Sequence, residues 1–326
     1  FCTLLKELTH TSMPSVSHVA EIFNESPVAQ EYFVFPKQNK GFEIPPYLAT
    51  EEAAAAIRPP AEVKSLAEKK LELSTEELAA LDSLRAEVTA SSWYDAKVHN
   101  DWTLLRYLKA RNFNVGKALK MLSKTAAWYA ESSSPTWRCP MCLENPNKHM
   151  MQFVGWDLQH RPILYASMRW SADRSDPERS LIHSVTSFNH SVHLMPEGVE
   201  QWVSITDFET YSHISDSNPK MGSTVISVLQ DHFPERLGVM ILVDPPTMFW
   251  VLWKLLSPFI DPKTKEKVLF MYTKSKPYIQ DEFPKLFPPH VCDYLIRAYL
   301  RNKESRLPDE VLSASAAAFG GSPTSQ

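Results

Sequence analysis

A chain of 326 residues that is 44% hydrophobic and 22% charged can bury a sizeable core, and a formal charge of −4 with no basic tract argues against a nucleic-acid partner. The four cysteines, Cys2, Cys139, Cys142 and Cys292, are unevenly spaced, which excludes a disulfide framework and favours a reducing, cytoplasmic setting. No run reaches the ~18 apolar residues that a membrane span needs, and the start at Phe1, without a signal-peptide pattern, reads as a fragment or a processed form.

Residues 1–60 mix prolines, serines and short apolar pieces and read as an irregular leader, able to dock through Tyr32, Phe33, Phe35 and Phe42 or to meet a partner protein. The pattern sharpens at Leu73, where Ser74-Thr-Glu-Glu77 is a capping box that predicts a helix over 75–89. Asn100 or Asp101 caps a second helix, 102–111, with Leu104, Leu105 and Leu108 on one face. Asn114 caps a third, with Val115, Ala118, Leu119, Leu122, Ala126 and Tyr129 at helical spacing. Together they predict a helical module over 61–135.

After a break at Ser132-Ser-Ser-Pro135, residues 152–156 and 162–168 predict a strand pair joined by the short turn 157–161, and therefore antiparallel. Next come a helix over 177–195, a strand over 201–207 and a helix running from Pro219 to Phe233. The unbroken apolar run Leu237 to Val243 predicts a strand buried on both faces. Met248 to Leu256 is apolar nearly all round, with Lys254 its only charge, so it must cover a core or meet something greasy. Asp261-Pro262 then caps a short helix bearing Thr264, and 268–273 returns to strand. The order ββαβαβαβ over 145–303, closed by a helix from Pro289 to Asn302, implies a mostly parallel sheet covered by helices. Residues 304–326, rich in Ala, Ser, Gly and Pro, read as a disordered tail.

Four stretches carry a family resemblance. Leu104-Leu-Arg-Tyr-Leu-Lys-Ala-Arg-Asn-Phe-Asn-Val115 resembles the helical lead-in of the CRAL-TRIO lipid-binding family, of the phosphatidylinositol-transfer, yeast secretory-pathway type. Asp157 with Arg161-Pro-Ile-Leu-Tyr165 is similar to its strand pair, and Phe233-Pro-Glu-Arg-Leu237 to its helix-to-strand corner. Phe249, Trp253, Pro258-Phe259 and Asp261-Pro262 with Thr264 and Lys267 are similar to its lid and the polar turn next to it.

The resemblance implies an α/β fold: a helical N-terminal module followed by a lipid-binding domain whose mobile apolar lid, 248–260, gates a cavity. It implies transfer or presentation of one phospholipid, most favourably phosphatidylinositol, by a monomer that visits membranes peripherally. No catalysis and no cofactor beyond that lipid is expected. Carried over residue by residue, the head group falls to Arg111, Glu235, Thr264 and Lys267 with Asp261 beside them, and the pocket and lid to Phe249, Trp250, Leu252, Trp253, Leu256, Phe259, Trp202 and Ser204. A phosphodiester needs fixed cations and a hydroxyl donor, which this set supplies.

Three departures stand out: Asn112 where relatives have a second basic residue, Asp244-Pro-Pro246 in place of Asn-Ala-Pro, and Glu209 in place of Gly. The alternatives are a carrier of another hydrophobe (tocopherol-, retinoid- or sterol-like, or haem) and a lipid-dependent adaptor. His183, His190 and His193 recur on one helix, but a polar helix face accounts for them. Cys139-Pro-Met-Cys142 lacks the second ligand pair a zinc site requires, so no metal site is expected.

Overall fold

The structure, a computed structural model, describes residues 63–132, 151–168, 177–209, 211 and 219–303. The expected leader and tail, and Cys139 and Cys142, lie outside the described residues.

Helices α1 (Leu66–Leu71), α2 (Thr75–Thr89), α3 (Asp101–Ala110) and α4 (Val115–Ser132) form the N-terminal module. Ser65 and Ser74 each accept the N3 amide while Glu68 and Glu77 reach back to the cap amides, so α1 and α2 both begin in capping boxes. Asn100 Oδ1 accepts Thr103 N–H at 3.0 Å and Asn114 Oδ1 accepts Lys117 N–H at 2.9 Å, fixing the starts of α3 and α4. The apolar faces so aligned meet in one cluster through Leu81, Leu84, Leu104, Leu108, Met121 and Leu122.

Five strands, β1 (Met151–Trp156), β2 (Pro162–Ser167), β3 (Trp202–Asp207), β4 (Leu237–Val243) and β5 (Val268–Met271), lie in the order β1-β2-β3-β4-β5. Among these strands the β1–β2 pair is antiparallel and the others are parallel. Helices α5 (Pro177–His193) and α6 (Pro219–His232) make the crossovers on either side of β3. Between β4 and β5 lie α7 (Thr247–Leu256) and the one-turn α8 (Pro262–Lys265), and the described chain ends with α9 (Ile279–Glu282) and α10 (Pro289–Lys303).

Alternation along the strands divides the core. Ile163, Tyr165, Val203, Ile205 and Ile241 pack against α10 through Val291 and Leu295. Phe153, Leu164 and Trp202 face the other way, onto Val185 and Phe188 of α5 and Val228 of α6. The end of α10 is anchored to the C-terminal edge of the sheet by Asn302 Nδ2, which lies 2.8 Å from Tyr165 Oη and 2.9 Å from Ser167 Oγ. Tyr165 donates to Asp207 at 2.8 Å, and burial raises the Asp207 carboxyl above its ordinary range.

The module docks where α4 meets the end of α6. His232 stacks on Trp128 at 4.0 Å with nearly parallel rings, and its Nδ1 lies 3.0 Å from Thr125 Oγ1. Desolvation lowers the imidazole from 6.5 to about 4, against the pull of Asp231. The folded value lies below the unfolded one, so the contribution is complete above pH 6.5 and is lost as pH falls toward 4. After discounting for solvent screening, about 1–2 kcal/mol of stability should disappear across that window. Urea titrations at pH 7 and 4.5 should resolve it, and His232→Phe should flatten the slope; an unchanged slope in that variant would assign it to other groups.

Candidate functional site

The Phe233-Pro-Glu-Arg-Leu237 corner sends consecutive charged side chains to opposite sides. Glu235 sits in the left-handed region at φ 59°, a conformation costly to a residue with a Cβ and typical of a constrained site. The turn leaves the Glu235 side chain 36% exposed and Arg236 10% exposed. Arg236 C=O accepts Trp202 N–H at 2.9 Å, so the corner also starts the β3–β4 register.

Opposite this corner, Asp261 Oδ1 accepts Lys263 N–H at 2.9 Å with Pro262 at the first helical position, which holds α8 and its Thr264. Lys267 N–H donates to Thr264 C=O at 3.2 Å, and Lys267 C=O accepts Met240 N–H at 2.9 Å, fixing Lys267 at the mouth of β5. Arg111, at the C-terminus of α3, leaves the helix at φ −122° and ψ 24°.

Arg111, Glu235, Asp261, Thr264 and Lys267 all line one chamber of about 580 Å³ between α3, the end of α6 and α8. Lys267 Nζ lies 4.0 Å from Glu235 Oε2. Lys109, Lys263 and Asp231, which sequence reasoning did not single out, line it too. The charged lining is thus Lys109, Arg111, Lys263 and Lys267 against Asp231, Glu235 and Asp261, an excess of one positive charge. Asp231 is engaged by Lys124 at 2.7 Å and Asp261 caps α8, so cationic donors face the space while Glu235 remains to accept hydroxyls. Such a chamber can hold a singly charged phosphate ester carrying a polyol.

Asn112 and Asp244, two of the departures, occupy positive φ (49° and 48°), where Asn and Asp are the best tolerated residues after Gly. Asp244 also accepts from Thr273 N–H at 2.9 Å, a bond that ties the end of β4 to the residues after β5.

The apolar set divides. Phe249 packs edge-on to Phe208 at 4.6 Å, while Trp250 stacks on Phe270 of β5 at 4.4 Å and Trp253 meets the same ring at 5.6 Å. Leu252 is half-buried, and Leu256 closes on α6 so tightly that a Cβ on Gly222 would collide with it. Phe259 is 66% exposed. Trp202 belongs elsewhere: it is buried in the core, stacked on Phe188 at 5.1 Å and edge-on to Phe233 at 5.8 Å. Ser204, two residues on along the same strand face, is also buried.

His183 Nε2 accepts Met151 N–H at 3.2 Å, placing this imidazole against the start of β1, and the side chain of His193 lies outside the described residues. Among the described residues no three His, Cys, Asp or Glu side chains are grouped to hold a metal ion, and no helix is long and apolar enough to cross a membrane.

Residues 147–290 match the CRAL/TRIO domain and residues 63–124 the CRAL/TRIO N-terminal domain. The chain is 32% identical over 167 residues to the CRAL-TRIO domain-containing protein C23B6.04c of Schizosaccharomyces pombe, covering 51% of this chain and 16% of that one. It is 30% identical over 180 residues to the phosphatidylinositol transfer protein PDR17 of Saccharomyces cerevisiae, covering 51% of each. Patellin-6 of Arabidopsis thaliana is 24% identical over 221 residues, covering 63% of this chain and 53% of that one. The matched region therefore spans about half the length of these relatives, or less. A crystal structure of Sfh5 superposes with a TM-score of 0.49 at 16% identity, over 61% of this chain and 81% of that one. Both domain matches fall in order on the helical module and on the mostly parallel sheet: the chain belongs to the CRAL-TRIO family of lipid-binding proteins.

Proposed function

We propose that this chain binds a single phospholipid, most favourably phosphatidylinositol, and exchanges it at membrane surfaces. The observation that carries the reading is the convergence of Arg111, Glu235, Thr264 and Lys267 on one chamber whose charged lining has an excess of one positive charge, which matches one phosphodiester. Arg111 and Lys267 take the phosphate oxygens, Thr264 donates its hydroxyl, and Glu235 accepts from the inositol hydroxyls while steadying Lys267. The acyl chains lie behind α7, whose inner aromatic side chains Trp250 and Trp253 pack on Phe270 of β5 and move with the helix when it opens. Acyl burial contributes ~0.8 kcal/mol per CH₂, so release must be driven by opening at a bilayer rather than by spontaneous exit. The PDR17 relative, named as a phosphatidylinositol transfer protein, supports the same choice of lipid.

The test is native mass spectrometry with lipid extraction on the purified protein and on Thr264→Asp with Lys267→Ala. Charge-assisted contacts contribute about 1.5–3 kcal/mol each, so the double change should lower phosphatidylinositol loading by at least about a hundredfold. A non-phospholipid ligand retained by the variant would overturn the reading and favour a carrier of another hydrophobe.

A further inference from the structure

A second cavity, of about 440 Å³, lies between the N-terminal helices and the sheet domain, on the other side of Lys109 and Glu235 from the head-group chamber. Trp102 and Leu105 of α3 form an apolar wall, and Lys64, Lys69, Arg106 and Arg161 bring charge to it. Two close approaches build it. Gly198, at φ 82°, lets Val63 and the Lys64 backbone close over the turn before β3, where a Cβ would collide with Val63 Cγ1. Gly238 lets Arg161 lie flat across β4, where a Cβ would come within 2.8 Å of a guanidinium nitrogen.

The charges around this cavity do not balance. Lys64 and Lys69 both pair with Glu72, and Glu68 adds a second carboxylate within electrostatic reach of Lys64. Arg106 and Arg236 share a single oxygen of Glu200. Arg106 is 11% exposed, and its Nε is buried with no hydrogen-bond partner. Lys109 makes no ion pair among the described residues, whereas Arg161 is neutralised by the buried Asp157 at 2.6 Å. The Arg106–Arg236 pair leaves one cation over, and Lys109, which also lines the head-group chamber, adds a second. Glu235, the acid that also reaches this cavity, leans the other way, toward Lys267.

We propose that this cavity is a second anion site and that it takes a phosphomonoester. Such a group carries close to two negative charges at neutral pH and three acceptor oxygens, which suits two unmatched cations better than the single charge of a phosphodiester does. The apolar wall of Trp102 and Leu105 accommodates the body that bears the phosphate. Lys109 and Glu235 line both cavities, so occupancy here reads directly on the head-group chamber. The phosphomonoester can come from solution or from a phosphorylated lipid head group at the membrane surface. The proposal does not depend on which lipid fills the chamber.

The full chain carrying its lipid is titrated calorimetrically with inorganic phosphate and with inositol 1,4-bisphosphate. In parallel, its capture is measured on phosphatidylcholine vesicles with and without phosphatidylinositol 4-phosphate. Lys64→Glu with Lys69→Glu changes two solvent-facing lysines that line only this cavity. Saturable binding that weakens with salt, falls about tenfold or more in this variant and survives in Thr264→Asp is the expected result. A response confined to the soluble probes identifies a free phosphomonoester, and capture dependent on the phosphorylated lipid identifies a head group. The proposal is overturned if neither arm shows saturable binding, if the double lysine variant binds as well as the parent, or if Thr264→Asp abolishes the response. Lipid loading, measured by mass spectrometry in every variant, is unchanged by the lysine substitutions, which separates failure here from failure of the head-group assignment.

Discussion

Glu200→Ala is expected to destabilise the chain by about 3–5 kcal/mol, more than any surface change, because it strands two guanidinium groups in a poorly hydrated space. Arg106 and Arg236 are 11% and 10% exposed and share Oε2 of this carboxylate. Burial, with Arg106 alongside, already lowers Arg236 to about 9, so it stays charged at neutral pH but at a cost that Glu200 offsets. After the substitution Arg236 keeps its bond to the carbonyl of residue 200 at 3.0 Å, while Arg106 keeps Thr103 Oγ1 at 3.0 Å. Neither neutral acceptor replaces the charge.

The same bond joins α3 to the turn before β3, so its loss should also loosen the module from the sheet domain. Urea unfolding followed by far-ultraviolet circular dichroism and by tryptophan fluorescence should give one transition for the parent and non-coincident transitions for the variant. Glu200→Gln, which keeps the shape and an acceptor but not the charge, should fall between the two. A loss of less than about 1 kcal/mol in Glu200→Ala would mean that solvent already screens both guanidiniums, and would equally weaken the charge imbalance argued for the second cavity.

How far the sequence can be read depends on the range over which each feature is determined. Capping is local, which is why Ser74, Asn100 and Asn114 mark their helices to within a residue or two. The apolar run 237–243 is legible as a strand, though only Gly238 and Ile241 to Val243 are fully buried while Leu237, Val239 and Met240 are half-buried, and the greasy 247–256 segment stands out by a similar scarcity of polar residues. Helix α1 escapes a reading by periodicity because its six residues are too few to show a period, although Ser65 to Glu68 is itself a capping box.

The head-group set is legible only through family motifs, since Arg111 and Thr264 are far apart in the chain. Lys109 escapes notice because residues two apart on a continuous helix face different ways. The helix ends at Ala110, however, and Arg111 turns out of it to share the chamber with Lys109. Trp202 does not join the lid pocket that the resemblance implies for it, because strand position fixes which face a side chain occupies, not which partner on that face reaches it first. Phe188 and Phe233 fill that place. The positive φ at Glu235 and the close approach over Gly198 are tertiary consequences that no local pattern announces.

Val251→Asp with Leu255→Asp should reduce partition onto vesicles about a hundredfold or more and slow lipid transfer in proportion, without emptying the protein of lipid. Helix α7 is two-faced despite being apolar apart from Thr247 and Lys254: Phe249, Trp250 and Trp253 turn inward onto Phe208 and Phe270. Met248, Val251 and Leu255 are 48%, 61% and 53% exposed at helical spacing, and Phe259 extends the same outer stripe. A core helix would not keep four large apolar side chains in water, and removing each from it is worth about 1.5–3 kcal/mol, so two lost contacts correspond to at least two orders of magnitude in partition. Lys254, exposed beside the stripe, adds attraction to anionic lipid. Trp250→Ala makes the informative contrast: it removes a ring stacked against β5 on the inner face, so it should alter how firmly the helix closes while leaving vesicle binding nearly intact. Flotation of the three proteins with phosphatidylcholine and phosphatidylserine vesicles, alongside a fluorescent-lipid transfer assay, separates the two faces. If the aspartate pair floats and transfers like the parent, the outer stripe is not what meets the bilayer, and the membrane contact must be sought on another surface.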